Sequence, residues 1–245
     1  MSHTLGVRQA QKQKTRQALL DAALRLLAEQ SLSSLGLREV TRVVGVAPAA
    51  FYRHFRDMAD LGVALVEESL GSLHGMIRGI LADQDGDDER IEATVLAVAE
   101  YVRTHPAHVR FIARERHGGV RPVREAIAAQ LDRFTDEVAE AFHGGLDYRG
   151  WSAEDVRMLA GLYVDHMVMT ATAFLEAQPV HPTGEGAEGG EGDGGGEAGP
   201  GADRGAEGGP GVGTGVVTEA EQRIADLARR QLRLVAIGRR HWHDE

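Results

Sequence analysis

The residues of this chain best equipped for chemistry are cations and hydrogen-bond donors crowded near its N-terminus: Lys12, Lys14 and Arg16, then Arg38, then Tyr52, Arg53 and His54. Ammonium and guanidinium groups pair with oxyanions, and a guanidinium addresses two acceptors at once, so the chemistry on offer is recognition of a polyanion. The charge is local. Up to Arg56 nine basic residues stand against three acidic ones, a net +6, in a chain of formal charge −10, which leaves −16 for the remainder. A solvated helix face would give the same count. A basic head on an acidic body is also what a nucleic-acid-binding module joined to a different domain requires, because phosphates respond to local charge.

Other constellations lead nowhere. His105 and His108 stand three apart in "HPAH", and His241 and His243 flank Trp242, but neither pair has a third ligand at suitable spacing. The acidic run "DQDGDDE" over 83–89 has the composition of a calcium loop, yet its glycine falls fourth and Thr94 occupies the twelfth position, where glutamate is needed. With no cysteine in 245 residues there is neither thiolate nucleophile nor disulfide framework. A phosphate-cradling glycine loop and a serine elbow are also missing. We expect no catalytic residue, no metal and no cofactor, and a protein that is not an enzyme. The opening "MSHTLGVRQAQKQKTRQ" has no apolar core behind its charges, and no run of roughly 18 uninterrupted apolar residues follows, so the expectation is a cytoplasmic protein that does not enter a membrane.

The cations need elements to hold them, and the stretch "LREVTRVVGVAPAAFYRHF", residues 37–55, supplies two. Gly36 can cap a helix with Glu39 in its first turn, running through Val40 and Val43 to Val44. Gly45 can take the positive φ needed just past a helix end, Val46 plugs inward, and Pro48 is preset for the first turn of a second helix. Phe51 and Phe55, four apart, face the core. Pro48 and Ala49 are small enough for close approach to a partner, and Tyr52, Arg53 and His54 point donors outward. A generic helical hairpin has the same spacing, but the local charge favours a helix-turn-helix whose second helix enters a major groove.

The rest also reads as helix. Apolar stripes at helical spacing recur at Leu19, Ala23, Leu26 and Leu27; Met58, Leu61 and Leu65; Ile91, Val95, Val98 and Val102; Val123, Ile127, Leu131, Phe134 and Val138; Val156, Leu159, Tyr163, Met167 and Phe174; and Ile224, Leu227, Gln231 and Leu234. Ser152 with Asp155, and Thr218 with Glu221, form capping boxes that open two long helices. No period-2 run is sustained, so the class is all-α. Between 178 and 217 glycine, proline and acid dominate, which predicts a disordered Gly/Glu-rich loop joining two helices.

"LREVTRVVGVAPAAFYRHFRDMADLG" resembles the DNA-binding signature of the TetR family of one-component repressors. The stretches "GVRQAQKQKTRQALLDAA", "VRFIARERHGG" (109–119) and "LRLVAIGRRHWH" (232–243) are similar to its fatty-acid branch, of FabR and DesT type. The resemblance implies a three-helix DNA-binding head over 1–57 and a helical ligand-binding and dimerisation domain over 58–245. Arg38 would reach a base edge, Tyr52 and His54 would hold phosphates, Arg53 would be a further groove contact, and Lys12, Lys14 and Arg16 would stand at the start of the first helix near the DNA backbone or minor groove. The family often has Ser or Thr where Ala47 stands, so one capping hydroxyl is lost. Helices over 152–177 and 218–240 would pair across a two-fold axis, giving a homodimer that reads a near-palindromic double-stranded operator.

Between them, residues 91–175 would enclose a chamber. Val98, Val102, Phe111, Leu131, Phe134, Leu159, Leu162 and Met169 would line it, although such faces are equally those of a packed core. Arg110, Arg114 and Arg116 could pair with the phosphates of an acyl-CoA or related acyl thioester, or with Glu115 and Glu125. The expected function is thus a ligand-responsive repressor of lipid or fatty-acid metabolism genes. The alternative is a repressor of the same family that answers to a drug or another small apolar ligand.

Overall fold

The structure, a computed structural model, describes residues 2–83, 86–145, 151–178 and 218–240. Every regular element among them is an α-helix, as the periodicity predicts: α1 (Ser2–Leu26), α2 (Leu37–Val44), α3 (Pro48–Phe51), α4 (Met58–Asp83), α5 (Asp87–Thr104), α6 (Pro106–Glu115), α7 (Arg121–Gly145), α8 (Ala153–Ala177) and α9 (Glu219–Arg240). The expected loop over 178–217 lies, but for Gln178, outside the described residues, as do His241 and His243.

The local signals act as anticipated. Gly36 precedes α2 in an extended conformation, and its N–H donates to Glu39 Oε1 at 3.1 Å. Gly45 ends α2 at φ +74°, in the left-handed region that costs a Cβ-bearing residue energy, and the Val46 N–H returns to the Thr41 carbonyl at 3.0 Å. Ser152 and Asp155 form a reciprocal box at the head of α8: the Asp155 N–H donates to Ser152 Oγ at 3.0 Å, and Ser152 N–H donates to Asp155 Oδ2 at 3.2 Å. Thr218 and Glu221 do the same before α9. The acidic run near 83–89 is explained by position: Asp87, Asp88 and Glu89 form the first turn of α5, where the helix dipole favours negative charge.

Three apolar clusters fill the interior. The first joins α1, α2 and α3 to the start of α4 and to α6 and α7, through Leu19, Ala23, Val40, Phe51, Phe55, Leu61, Phe111 and Ile127. Head and body therefore share one continuous core. Gly62 marks a close approach, since a Cβ there would fall 2.4 Å from Leu32 Cδ2 and 2.7 Å from Val123 Cγ2. The second cluster lies between α5, α8 and α9, and the third between α7, α8 and Ile77 of α4. Cation–carboxylate contacts tie α9 to α5: Arg229 with Glu92, Arg233 with Asp88 at 2.9 Å, and Arg239 with Asp87 at 2.6 Å.

One sequence expectation needs correction. In α9 the side chains buried within the chain are Ala225, Ala228, Leu232 and Ala236, while Leu227 and Leu234 of the expected stripe are exposed. Alanines allow α5 and α8 to approach closely, so the smaller residues form the inner face. Among the described residues, α8 is long and apolar enough to cross a membrane by length and composition, although charged residues interrupt it; 33% of its apolar window is buried. An average over a window tolerates isolated charges that an uninterrupted run does not.

Candidate nucleic-acid interface and ligand chamber

Phe51 and Phe55 position the outward surface of the head. They are 0% and 3% exposed, with ring centroids 5.5 Å apart, and burying this pair pins the short α3 and the turn that follows. Much of the chain between and before them is then turned outward. Pro48, Ala49, Tyr52 and Arg53 are exposed, Tyr52 by 63%, with its ring set edge-on to Phe51. Arg38 is exposed on α2, and Arg42 follows one turn later on the same side. Arg42 escaped the sequence reading even though the i, i+4 spacing from Arg38 was legible. Glu39, between them, is held by Gly36 and by Gln30 Nε2 at 3.1 Å; the Gln30 bond, ahead of the Gly36 amide, keeps its carboxyl below the usual range. This acid is occupied with capping and does not face a polyanion unpaired.

The middle of α1 meets the end of α3. Because α1 begins at Ser2, Lys12, Lys14 and Arg16 stand mid-helix rather than at its start, a correction to their expected place. The Arg16 guanidinium carbon lies 4.8 Å over the Phe55 ring. His54 is half-buried beside it, with Nδ1 buried and without a partner. Burial, and then Lys12, Arg16 and Arg53, holds its imidazole below the ordinary 6.5. Lys12, Arg16, Arg53 and His54 thus form one electropositive patch. Lys14 is exposed, two residues and roughly 200° further round the helix, and is not among the charges acting on His54.

The body contains two small, adjoining apolar cavities. The larger, of about 70 Å³, lies among α4, α5, α6, α7 and α8, with Leu70, Leu73, Val98, Ile112, Leu131 and Met167 in its wall. The smaller, of about 50 Å³, runs from Ile77 and Phe134 toward the Asp87–Arg239 pair and Tyr163, whose hydroxyl burial pushes up to about 12. Ile77, Phe134, Val164 and Met167 belong to both walls.

Of the expected lining, the structure brings Val98, Leu131 and Phe134 to the larger cavity. Val102, Phe111 and Leu159 are spent in the packed clusters, and Leu162 and Met169 are 52% and 65% exposed on the outer face of α8. Those two share the helix with the inner stripe but lie on its other side. Sequence reasoning also missed the contribution of α4, Ser69 to Ile77, because it sought the chamber only after residue 91.

Of the arginines expected to meet phosphates, Arg114 is engaged elsewhere. Arg114 donates to the backbone carbonyls of Leu27, Ala28 and Gln30, at 2.9, 3.3 and 2.8 Å. Arg116 follows α6 as its C-cap, with its N–H on the Ile112 carbonyl at 3.0 Å. The neighbouring Glu115, 1% exposed, accepts the Leu32 N–H at 2.9 Å through Oε1. Glu125 pairs with Arg121 at 2.7 Å. So α6 lends one face to the cavity, through His108, Val109, Ile112 and Ala113, and grips the α1–α2 connection with its last turn. Among the described residues, no three of His, Asp and Glu gather where they could hold a metal ion.

Residues 19–65, spanning the end of α1 to the start of α4, match the family model of the bacterial regulatory proteins of the tetR family. The head of this chain belongs to the TetR family. An uncharacterised HTH-type transcriptional regulator of Haemophilus influenzae is 41% identical over 136 residues, which are 55% of this chain and 66% of that one. A Syntrophomonas wolfei protein described as a TetR-family transcriptional regulator superposes on 92% of this chain and 96% of its own, with TM-score 0.63 and 14% identity. The FadR transcriptional regulator of Bacillus subtilis, in complex with stearoyl-CoA, covers 65% of this chain and 95% of its own at TM-score 0.50 and 15% identity. In TetR-family terms α2 and α3 are the helix-turn-helix and α4 to α9 the helical C-terminal region.

Proposed function

We propose that this TetR-family chain is a cytoplasmic DNA-binding repressor, its head spanning residues 1–57, whose operator affinity is set by a small apolar effector, an acyl-CoA or related acyl thioester, and that it governs lipid or fatty-acid metabolism genes. The observation that carries the DNA-binding part is the head itself: two helices joined at Gly45, anchored by Phe51 and Phe55, with Arg38, Tyr52 and Arg53 turned outward beside the Lys12–Arg16–His54 patch. Arg38 and Arg53 would address base edges, and Tyr52, His54, Lys12 and Arg16 phosphates. The exposed Met158, Leu162 and Met169 of α8 and Leu227, Leu234 and Ile237 of α9 form the face through which two copies would pair. Such a dimer would set its recognition helices about 34 Å apart, one turn of DNA.

The acyl reading is supported by the apolar walls and by the stearoyl-CoA complex of the fold neighbour. Cavities of about 50 and 70 Å³ fall well short of the roughly 300–1,000 Å³ of drug-sized ligand pockets, so an acyl chain would enter these two only as their shared partition of Ile77, Phe134, Val164 and Met167 parts. Since α6 lines the cavity and holds the head, that parting would be felt at the α1–α2 connection, and binding would shift the population of head orientations. The same volumes favour a second reading, in which the effector is a smaller apolar molecule. One titration decides between them: binding to a palindrome from the promoter beside the gene, measured against salt with saturated acyl-CoA, unsaturated acyl-CoA and no effector. Tight, salt-dependent binding altered by acyl-CoA supports the first reading. Specific binding indifferent to it leaves the second, and binding no tighter than to random DNA removes both.

A further inference from the structure

The larger cavity is apolar, but not at every point. Ser69 lies in its wall, 1% exposed; its carbonyl accepts the Tyr101 hydroxyl, while its own Oγ is buried with no hydrogen-bond partner. Buried hydroxyls are nearly always satisfied, so an orphan one at a cavity wall points to a partner that arrives from outside the chain. His108 is in the same wall, and burial, outweighing the nearby Glu68, lowers its pKa, so the ring is neutral at pH 7. Thr172, also in the wall, already donates to the Val168 carbonyl at 3.0 Å.

The charges set the ligand class. No lysine or arginine lines this cavity, and His74 Nδ1 lies 3.5 Å from Glu137 Oε2, so a carboxylate already faces that imidazole. A ligand carboxylate would be taken out of water with no counter-charge, which is strongly unfavourable. A neutral oxygen on an alkyl body has no such penalty and gives Ser69 Oγ an acceptor. We propose that the cavity seats one neutral oxygen, the carbonyl of an acyl thioester or ester or the hydroxyl of an alcohol, against Ser69 with His108 beside it, and rejects the corresponding free acid. This rests on the reading of the cavity as the effector chamber.

The test is calorimetric titration of the full chain at neutral pH with S-octanoyl-N-acetylcysteamine, octanol and octanoate, which share a chain and differ in the polar group. The first two should bind, octanoate at least about tenfold more weakly. Ser69→Ala should weaken the thioester about fivefold and leave octanoate unchanged, the loss expected for one hydrogen bond. His108→Phe, which keeps ring bulk, should narrow the thioester–octanoate difference, and helical circular dichroism should match the parent for both variants. Octanoate binding as tightly as the thioester, or Ser69→Ala folding normally with unchanged affinities, overturns the proposal and leaves the effector chamber standing. Failure of all three probes, with acyl-CoA also failing to alter operator binding, overturns the chamber as well.

Discussion

Arg38 and Lys12 differ in what they can distinguish. A guanidinium on α2 set against a base edge reads one position, and a good bidentate pair discriminates by about 1–3 kcal/mol; an ammonium on α1 set against a phosphate reads none. We expect Arg38→Ala to relax specificity at a single base pair, and Lys12→Ala to weaken specific and random DNA alike while reducing the salt slope by about one. Equal losses on both DNAs for both variants would remove the distinction. His54 adds a pH dependence. Burial and the surrounding cations hold it below 6.5 in the free protein, and phosphates would favour its protonated form, so a proton is taken up on binding. Affinity should rise as pH falls from the DNA-bound pKa toward the lower free one, and His54→Asn should flatten that rise in anisotropy titrations. Folding runs the opposite way, because a depressed folded pKa gives stability that is present above 6.5 and lost as pH falls toward the folded value. At this scale the sequence was most informative: Gly45, Phe51 and Phe55 are decided by local backbone geometry and helical spacing. The lowering of the His54 pKa was hidden, since it depends first on burial and then on α1 cations some forty positions away.

Element by element, α6 departs furthest from expectation. "VRFIARERHGG" reads as a cationic segment in need of anions, and Arg114 instead finds three carbonyls at the end of α1, while Glu115 takes an amide five residues later. Those carbonyls belong to Leu27, Ala28 and Gln30, just past the end of α1 in the connection to α2, and a guanidinium with its fork of donors is suited to collect them. Nothing in the sequence signals those pairings, because the partners of both side chains are backbone groups more than eighty residues distant. We expect Arg114→Ala to cost about 1.5–3 kcal/mol in chemical denaturation, the range for hydrogen bonds to a charged group. It should also reduce the effect of effector on operator affinity more than it reduces affinity for either ligand alone. A variant that loses stability and keeps full coupling would make Arg114 a staple only.

For the molecule as a whole, the helical class and the order of elements were legible because each stripe repeats at the helical period. The division of faces on α8 and α9 was not, since either of two apolar stripes satisfies the same periodicity and only packing decides which is turned inward. Leu234, 69% exposed, and Met169, 65% exposed, lie on the outer stripes. Leu234→Glu and Met169→Glu should each convert a dimer to a monomer in light scattering and abolish tight operator binding, with helicity unchanged. Dimers that persist in both variants would place the pairing face elsewhere. The ten residues of α6 also bear on how such a chain can be remade. Its cavity-lining side chains, His108, Val109, Ile112 and Ala113, are separate from its gripping ones, Arg114 and Glu115. The inner set can therefore be randomised with the grip left intact, so biosensors for new analytes could be selected from a library of four positions on one short helix.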